Sequence, residues 1–298
     1  MNLKQFKYVL TLAYEGSFSK AAEVLNIKQP SLSQYIKKIE QEVGMELFYR
    51  TGSNVRLTDA GEAYINVGRQ MLNLEHQLEE QFSDISKFKT GTISIGISAH
   101  RSVALMPKTV KAFNDEFPGI VLKIEELQRR EILDAAAHGQ FDLCITTLPV
   151  DERIFNTKLL FLEENVLAVP SAVKLEAQRV PGRMFPAVNA KELSSRRFVV
   201  LNDNHPMRHE FECLCDNYGI TYKRTVECTS LEALREMVKE GLGCGFIPSC
   251  MAKPDDGINY YSIKEETKKR EIVILWRKDQ YLSEAVKRLR DIIIEQLK

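Results

Sequence analysis

The 298-residue chain predicts an α+β fold of several domains: an N-terminal winged helix-turn-helix, a long linker helix, and a C-terminal α/β domain of two lobes. Three observations predict this layout. Two short helical segments meet at a tight turn near the N-terminus, an apolar seam then recurs at helical spacing, and strands alternate with helices from residue 91 onwards. The predicted bounds are residues 1–58, 59–88 and 91–298.

The charge of the chain is balanced overall but not locally. Lys and Arg together number 41, and so do Asp and Glu. Residues 1–58, however, hold eight basic and five acidic residues, which leaves an excess of 8 − 5 = +3. A local basic patch of this kind is what contact with phosphate groups requires.

The sequence gives no indication of a membrane segment, an export signal or a metal site. No run of eighteen apolar residues exists, and the N-terminal stretch MNLKQFKYVL carries charges inside its apolar part. We therefore expect a cytoplasmic protein without a membrane partner, in which the six cysteines are reduced. Their spacing is not that of metal ligands, and we expect no metal ion and no cofactor.

The first helix is predicted to begin at Leu3, because Asn2 and Gln5 have the spacing of an N-cap residue and its capping-box partner. Gly16 is predicted to end it. The residues expected on its buried face are Leu3, Phe6, Val9, Leu10 and Ala13.

A helix-turn-helix is predicted at about residues 18–37. Asn26 can adopt the left-handed conformation that ends a helix, and Pro30 suits the first position of the next one. The second helix has a polar and basic outer face, and its buried stripe is expected to be Leu32, Ile36 and Ile39. A wing follows, with a turn at residues 51–54 and a short strand at residues 55–57.

The run KAAEVLNIKQPSLSQYIKKIEQEVGMELFYRTG, followed by RLTDAGEAY, resembles the LysR-type transcriptional regulators. The resemblance is strong over the head and looser over the rest of the chain. It implies base and phosphate contacts at the start of the second helix and in the wing, on Gln29, Pro30, Ser31, Ser33, Gln34, Lys37, Arg50 and Arg56. The chemistry agrees, since Gln34 can form two hydrogen bonds with adenine, and Lys37 and Lys38 can neutralise phosphates.

A long helix is predicted over residues 59–88. Thirty helical residues span about 45 Å, which is more than a small domain needs, so we interpret its apolar seam as a dimerisation surface. The alternative is an amphipathic helix that lies on its own domain. The seam residues follow spacings of three and four, close to a heptad repeat: Tyr64, Val67, Met71, Leu74, Leu78, Phe82 and Ile85.

From residue 91 the β-α-β-α-β order predicts a parallel sheet with helices on both faces. The pattern recurs after residue 164, so we expect two similar lobes, residues 91–163 with 268–298 and residues 164–267. The family resemblance implies the same division: a regulatory domain like a periplasmic binding protein, with an effector in the cleft between its lobes.

Candidate effector-binding residues follow the strands of both lobes, because open α/β sheets bind ligands at strand ends and helix N-termini. Hydroxyls, amides and helix dipoles aimed into one cleft predict a small anion, such as a carboxylate, with added charge from His100 or Arg101. Simple helix capping by Thr229 and Ser230, and a surface position for His100, remain alternatives. The candidates are Ser98, His100, Arg101, Ser102, Thr146, Thr147, Asn202, His205, Thr229 and Ser230.

These observations and the resemblance predict a transcription regulator rather than an enzyme. Its expected partners are double-stranded promoter DNA of two-fold symmetry, a small-molecule effector, further copies of itself as a homodimer and homotetramer, and RNA polymerase. The enzyme motifs GxSxG, GxxxxGK[ST] and HExxH are missing.

Two alternatives remain open. The first is a cysteine redox sensor of the same fold, since peroxide-sensing family members use a cysteine pair in this lobe, although Cys213 and Cys215 stand two apart on a helix and point to different sides. The second is an enzyme or solute-binding module with an appended DNA-binding head.

Overall fold

The computed structural model describes residues 2–51, 54–86, 90–253, 256–265 and 269–297. These residues form an N-terminal head, a long helix and two α/β lobes, as predicted. The predicted domain bounds stay predictions, and those at residues 1, 88, 267, 268 and 298 lie outside the described residues. None of the described helices combines the length and the apolar composition that crossing a membrane requires.

The head consists of three helices and a two-stranded wing: α1 (Leu3–Glu15), α2 (Phe18–Val24), α3 (Gln29–Val43), β1 (Phe48–Thr51) and β2 (Asn54–Leu57). Helix α1 begins where predicted, because Asn2 and Gln5 form the two reciprocal hydrogen bonds of a capping box. Its buried stripe differs from the prediction. Leu12 is fully buried beside Phe6 and Val9 at steps of three, whereas Leu3, Leu10 and Ala13 are only half-buried.

The turn between α2 and α3 contains the predicted left-handed residue, Asn26, with a φ of 52°. Helix α3 begins one residue earlier than predicted, at Gln29, so Pro30 occupies its second position rather than its first. The first four N–H groups of a helix have no partner within it, so proline fits either position. The buried stripe of α3 is the predicted one, Leu32, Ile36 and Ile39.

After the wing, the chain forms α4 (Asp59–Ser86), β3 (Gly91–Ile97), α5 (Ala99–Glu116), β4 (Ile120–Glu126), α6 (Arg129–Ala137), β5 (Leu143–Thr147) and β6 (Phe155–Glu163). It continues with β7 (Asn165–Pro170), β8 (Ala187–Val188), β9 (Arg197–Leu201), α7 (Pro206–Tyr218), β10 (Lys223–Cys228), α8 (Leu231–Lys239) and β11 (Gly245–Pro248). The last elements are β12 (Ile258–Ile263), β13 (Arg270–Arg277) and α9 (Glu284–Glu295).

Helix α4 is seated on the head through two glycines. A Cβ atom on Gly61 would lie 2.1 Å from the carbonyl oxygen of Leu47, and one on Gly68 would lie 2.4 Å from the ring of Phe6. Neither position can therefore carry a side chain without displacing its neighbour. The absence of side chains at these two positions lets the first turns of α4 approach α1 and the wing closely.

Lobe I is built on a five-stranded sheet in the order β4-β3-β5-β13-β6. Strands β3, β4 and β5 are parallel, as predicted. Strand β13 is antiparallel to both β5 and β6, so the prediction of a wholly parallel sheet is wrong at this edge, because β13 enters on the return from lobe II. Helices α5 and α9 cover one face of the sheet, and α6 covers the other.

Lobe II contains a four-stranded sheet in the order β11-β7-β12-β8 and a parallel pair of strands, β9 and β10. A bridge between Phe198 and Cys244 places β9 beside β11. Helices α7 and α8 supply the apolar residues that complete its core, among them Phe211, Leu214 and Leu234.

The chain first crosses between the lobes at two buried neighbours, Glu163 and Glu164. Glu163 is held by lobe I, because Arg101 of α5 and Arg270 of β13 each donate a hydrogen bond of 2.7 Å to its Oε2. Glu164 is held by lobe II, where Arg183 donates to it at 3.2 Å. The two adjacent carboxylates thus fix the crossing segment at both sides, Glu163 to lobe I and Glu164 to lobe II.

Helix α4 also contacts lobe I of the same chain. The Oε1 atom of the buried Gln77 accepts a hydrogen bond of 3.3 Å from the backbone N–H of Tyr281. Asn73 lies against Gly139, which follows α6. A Cβ atom added to Gly139 would stand 2.5 Å from Nδ2 of Asn73. The long helix therefore touches both the head and the α/β domain.

Candidate DNA-binding face and interlobe cleft

The predicted recognition residues lie on the outer face of α3. The buried stripe turns inward and leaves a surface of amides, hydroxyls and ammonium groups, which suits contact with base edges and phosphates. Ser33 is half-buried on this face. The exposed members are Gln29, Pro30, Ser31, Gln34, Lys37 and Lys38.

The wing places Arg56 on its exposed face. Strands β1 and β2 are antiparallel, with Arg56 opposite Tyr49 and Arg50 opposite Val55. The side chain of Arg50 lies outside the described residues. Tyr49 is 59% exposed, and this aromatic ring beside a cation was not among the residues predicted from the sequence.

Glu40 joins the recognition helix to the wing. Its side chain is buried, and its Oε1 accepts hydrogen bonds from the backbone N–H groups of Leu47 at 3.0 Å and Phe48 at 3.3 Å. These groups mark the entrance to β1, so Glu40 fixes the wing relative to α3. In the sequence it was only one acidic residue among several on a helix.

The apolar seam of α4 is exposed along most of its described length. Tyr64 is the exception, because it is 7% exposed and its ring packs on Phe6 with 4.8 Å between ring centres. Its assignment to the seam is therefore wrong, since it belongs to the core of the head. The side chain of Ile85 lies outside the described residues. The remaining five are 40–63% exposed: Val67, Met71, Leu74, Leu78 and Phe82.

Three candidate effector residues stand at helix N-termini. Ser98 occupies the N-cap of α5 without a side-chain cap bond. His205 caps α7, because its Nδ1 accepts from the N–H of Met207 at 3.1 Å, and Ser230 caps α8 by accepting from the N–H of Ala233 at 3.2 Å. The capping alternative thus accounts for Ser230, and the same role applies to His205.

The charge predicted from His100 and Arg101 is not available to a ligand. Arg101 is 5% exposed and is paired with Glu163. Burial, and after it the positive charge of Arg101, lowers the pKa of His100 to about 3, so its imidazole is neutral at pH 7. The prediction of added positive charge at these two positions is wrong, because burial and pairing remove it.

The other candidates differ in their exposure. Ser102 and Thr146 are buried, Asn202 is half-buried and Thr229 is exposed. Thr147 is half-buried, and its hydroxyl accepts a hydrogen bond of 3.0 Å from Nε of Arg129.

Arg129 was not predicted from the sequence. It is exposed at the edge of the sheet where β5 ends. Its guanidinium therefore supplies a cation at the strand ends, where His100 and Arg101 do not.

A cavity of about 190 Å³ lies between α5 of lobe I and α8 of lobe II. Of the ten residues predicted to bind an effector, it contains only His100. It presents both signs of charge, since Arg235 is paired with Glu236, while the exposed Lys253 has no ion pair among the described residues. Its lining residues are His100, Val103, Ala104, Glu232, Arg235, Glu236, Cys250, Met251 and Lys253.

All six cysteines are free thiols. Burial raises the pKa of Cys215 to about 12 and that of Cys244 to about 11. Peroxide and disulfides react with the thiolate rather than the thiol, so these sites disfavour redox chemistry. Cys213 is the exposed cysteine of the chain. Burial also raises the pKa values of Cys144, Cys228 and Cys250.

A winged helix-turn-helix head, an exposed apolar seam and a two-lobed α/β domain with a cavity between its lobes define a DNA-binding regulator that responds to a ligand. Comparison with known families identifies which one. Residues 3–62 match the bacterial regulatory helix-turn-helix proteins of the lysR family, and residues 86–298 match the LysR substrate binding domain. The chain belongs to the LysR family of transcriptional regulators.

Individual relatives match over nearly their whole length. The chain is 30% identical over 312 residues to the uncharacterized HTH-type transcriptional regulator YcgK of Bacillus subtilis, covering 100% of this chain and 95% of the relative. It is 27% identical over 300 residues to a hydrogen peroxide-inducible genes activator of Dickeya chrysanthemi, covering 100% and 96%. Both relatives are named for gene regulation rather than for an enzyme activity.

Among solved structures, a full-length OxyR variant from Pseudomonas aeruginosa superimposes with a TM-score of 0.71 at 26% identity. The match covers 99% of this chain and 98% of that one. The similarity therefore extends over the head, the long helix and both lobes.

Proposed function

We propose that this regulator binds promoter DNA of two-fold symmetry through α3 and the wing, and that a small anion in the cleft between its lobes changes this binding. In this proposal Gln34 contacts a base edge and Lys37 and Lys38 contact phosphates. Arg56 and Tyr49 bring the wing against the adjacent backbone. The protein works in the cytoplasm, where it meets promoter DNA and RNA polymerase.

The exposed seam of α4 supports a homodimer. Contiguous apolar surface of this kind marks an interaction site, and a second copy of the same helix buries it symmetrically. A two-fold dimer places two recognition helices about 34–36 Å apart on one face of the DNA. Contacts between α/β domains then join two such dimers into a tetramer.

The observation that carries the effector proposal is the cavity shared by the two lobes. A ligand that touches His100 on α5 and the residues of α8 binds the two lobes at once, so its affinity depends on their relative arrangement. Such differential affinity is what an effector needs in order to shift the regulator between two states. Lys253, which is exposed and lines the cavity, supplies a cation for an anionic ligand.

Thermal unfolding of the full-length protein against a panel of carboxylates, phosphates and amino acids tests this proposal. A ligand present at a hundred times its Kd stabilises the folded state by about 2.7 kcal/mol, which raises the Tm by several degrees. We expect the ligand found in this way to bind at least tenfold more weakly to Lys253→Ala, because this lysine lines the cavity. Unchanged ligand binding in that variant would contradict the proposed site.

A matched control removes an exposed lysine of lobe II that does not line the cavity, with Lys191→Ala. This variant is expected to keep the wild-type affinity.

Redox sensing stays a second candidate because relatives such as the Dickeya chrysanthemi protein are named as hydrogen peroxide-inducible activators. Its site would have to include the exposed Cys213. The test is DNA binding before and after peroxide. A change that vanishes in Cys213→Ser and Cys215→Ser supports redox sensing, and an unchanged affinity supports a ligand-responsive regulator.

A further inference from the structure

The cavity between the lobes is lined by two charged side chains of opposite sign that lack an ionic partner. They are Glu232, in the first turn of α8, and Lys253, which follows the short helical turn after β11. Neither forms an ion pair with any of the described residues. A ligand that pairs with both must itself carry a positive and a negative group.

Glu232 has a buried carboxylate oxygen without a hydrogen-bond donor. Its Oε2 accepts a hydrogen bond of 3.0 Å from the hydroxyl of Ser230, the residue that caps the same helix. Its Oε1 is buried and accepts no hydrogen bond from the residues that the structure describes. Burying a charged oxygen without a donor is costly, so Oε1 would bind an N–H group of a ligand favourably.

The other charged residues of α8 and its surroundings are paired with one another. Arg235 donates a hydrogen bond of 2.6 Å to Glu236 and is also paired with Asp256. The Nζ atom of Lys239 lies 3.9 Å from Glu236 as well. These four residues therefore satisfy one another and leave the charges of Glu232 and Lys253 to a ligand.

The lobe crossing beside the cavity is balanced in the same way. Arg101 and Arg270 are both paired with Glu163, and Arg270 is paired with Glu210 as well. Two histidines near the cavity add no charge at pH 7, because burial lowers the pKa of both: His100 and His205.

The side of the cavity that belongs to lobe I is largely apolar. Val103 and Ala104 of α5 line it there, and Met251 of lobe II adds a further apolar side chain. The volume of about 190 Å³ equals that of roughly six molecules of liquid water. This space suits a small ligand with a short aliphatic part.

We propose that the effector of this regulator is a small aliphatic α-amino acid, bound as a zwitterion between the lobes. Its ammonium group donates to Oε1 of Glu232, its carboxylate meets the ammonium group of Lys253, and its side chain packs against Val103 and Ala104. This inference rests on the ligand-binding function proposed above and narrows the proposed anion to one that also carries an ammonium group.

The two lobes make different contacts with such a ligand. The charged contacts belong to lobe II, whereas the apolar ones of α5 belong to lobe I. A bound amino acid is therefore enclosed on both sides only when α5 and α8 are close, and its affinity differs between two arrangements of the lobes. A simple carboxylate or a simple amine leaves one polar group of the site without a partner, which is why the site discriminates against both.

Isothermal titration calorimetry of the full-length protein with L-alanine, L-valine and L-leucine tests the proposal. Each amino acid is compared with the carboxylate that lacks its ammonium group and with the amine that lacks its carboxylate. For L-valine these analogues are 3-methylbutanoate and isobutylamine. We expect at least one of the three amino acids to bind, with an affinity at least tenfold higher than that of either analogue.

Two variants separate the contacts of the ammonium group from those of the carboxylate. Glu232→Gln should weaken the binding of the amino acid at least tenfold without weakening that of its carboxylate analogue, whereas Lys253→Ala should weaken both. The matched control is Glu240→Gln, which removes an exposed carboxylate at the end of the same helix. It should bind the amino acid as the wild type does.

Equal affinity of the wild type for the amino acid and for its carboxylate analogue would overturn the zwitterion and leave an anionic effector standing. An amine that binds as tightly as the amino acid, no binding of any of the three amino acids, or an unchanged affinity in Glu232→Gln would also overturn it. The proposed ligand-binding function itself fails only if, in addition, none of the carboxylates and phosphates raises the Tm. The comparison within the wild type does not depend on the folding of any variant.

Discussion

Burial rather than residue type decides the chemistry of the cleft. His100 and Arg101 look like cations in the sequence, but one is neutral at pH 7 and the other is paired with Glu163. For Glu163, burial alone would raise the pKa, yet the two guanidinium groups outweigh it and hold the pKa below its usual value. None of these outcomes could be predicted from the sequence, because they depend on side chains that the fold brings together from distant segments.

The low pKa of His100 predicts a specific loss of stability in acid. The folded chain leaves the ring neutral down to about pH 3, whereas the unfolded chain protonates it below about pH 6.5. The unfolded state therefore binds more protons between these values, and the free energy of unfolding falls as the pH falls through this range. From pH 7 to pH 5 this contribution is about 2 kcal/mol.

Urea unfolding of the full chain at pH 7, 6 and 5 measures this effect. His100→Asn should lose about 2 kcal/mol less than the wild type over the interval. The control is His209→Asn, because the ring of His209 is exposed in the folded chain. The same loss in His100→Asn as in the wild type would contradict the assignment.

At the scale of elements, periodicity found most of the fold. The helices of the head lie where they were predicted, apart from the start of α3 one residue earlier, because apolar residues recur there at spacings of three and four. The edge strand β6, with the sequence FNTKLLFLE, and β12, with INYYSI, were not predicted. Neither sequence shows a regular alternation of apolar and polar residues. These segments become strands through pairing with their neighbours in the sheet rather than through their local pattern.

Gly61 is predicted to be required for seating α4 on the head. In Gly61→Ala the new Cβ would stand 2.1 Å from the backbone oxygen of Leu47, so α4 must shift. Overpacking of this kind costs about 1–3 kcal/mol. Calorimetry should show a lower Tm for the head, while Glu62→Ala on the exposed side of the same turn should change it little. An unchanged Tm in Gly61→Ala would show that the contact can relax.

The apolar seam of α4 is predicted to hold the dimer. Leu74 and Leu78 are 63% and 50% exposed in the single chain, so a charge there would be buried without a partner when two helices pair. We expect Leu74→Glu and Leu78→Glu to shift the protein towards monomers in analytical ultracentrifugation, with a dimer Kd raised at least about 100-fold.

Leu242→Glu, at an apolar position of lobe II that is 42% exposed, serves as the control for the seam. The prediction fails if it dissociates the protein as readily as the two seam variants do, or if those variants remain dimeric.

In the whole molecule, one chain of contacts joins the cleft to the head. The cavity lies between the lobes, Glu163 and Glu164 anchor the crossing, and Gln77 of α4 accepts a hydrogen bond from lobe I. The first turns of α4 are in turn seated on the head. A change in the arrangement of the lobes is therefore in a position to move the recognition helices.

The central claim is that the outer face of α3 contacts DNA, and its most direct test is the salt dependence of binding. Fluorescence anisotropy of the full-length protein with a duplex from the DNA upstream of its own gene gives the slope of log K against log salt. Each phosphate contact contributes about −0.9 to that slope. The double variant Lys37→Ala, Lys38→Ala should therefore show a slope shallower by about 1.8, whereas Lys191→Ala, at an exposed lysine of lobe II, should leave it unchanged. Salt-independent binding, or an equal slope in the double variant, would contradict the account.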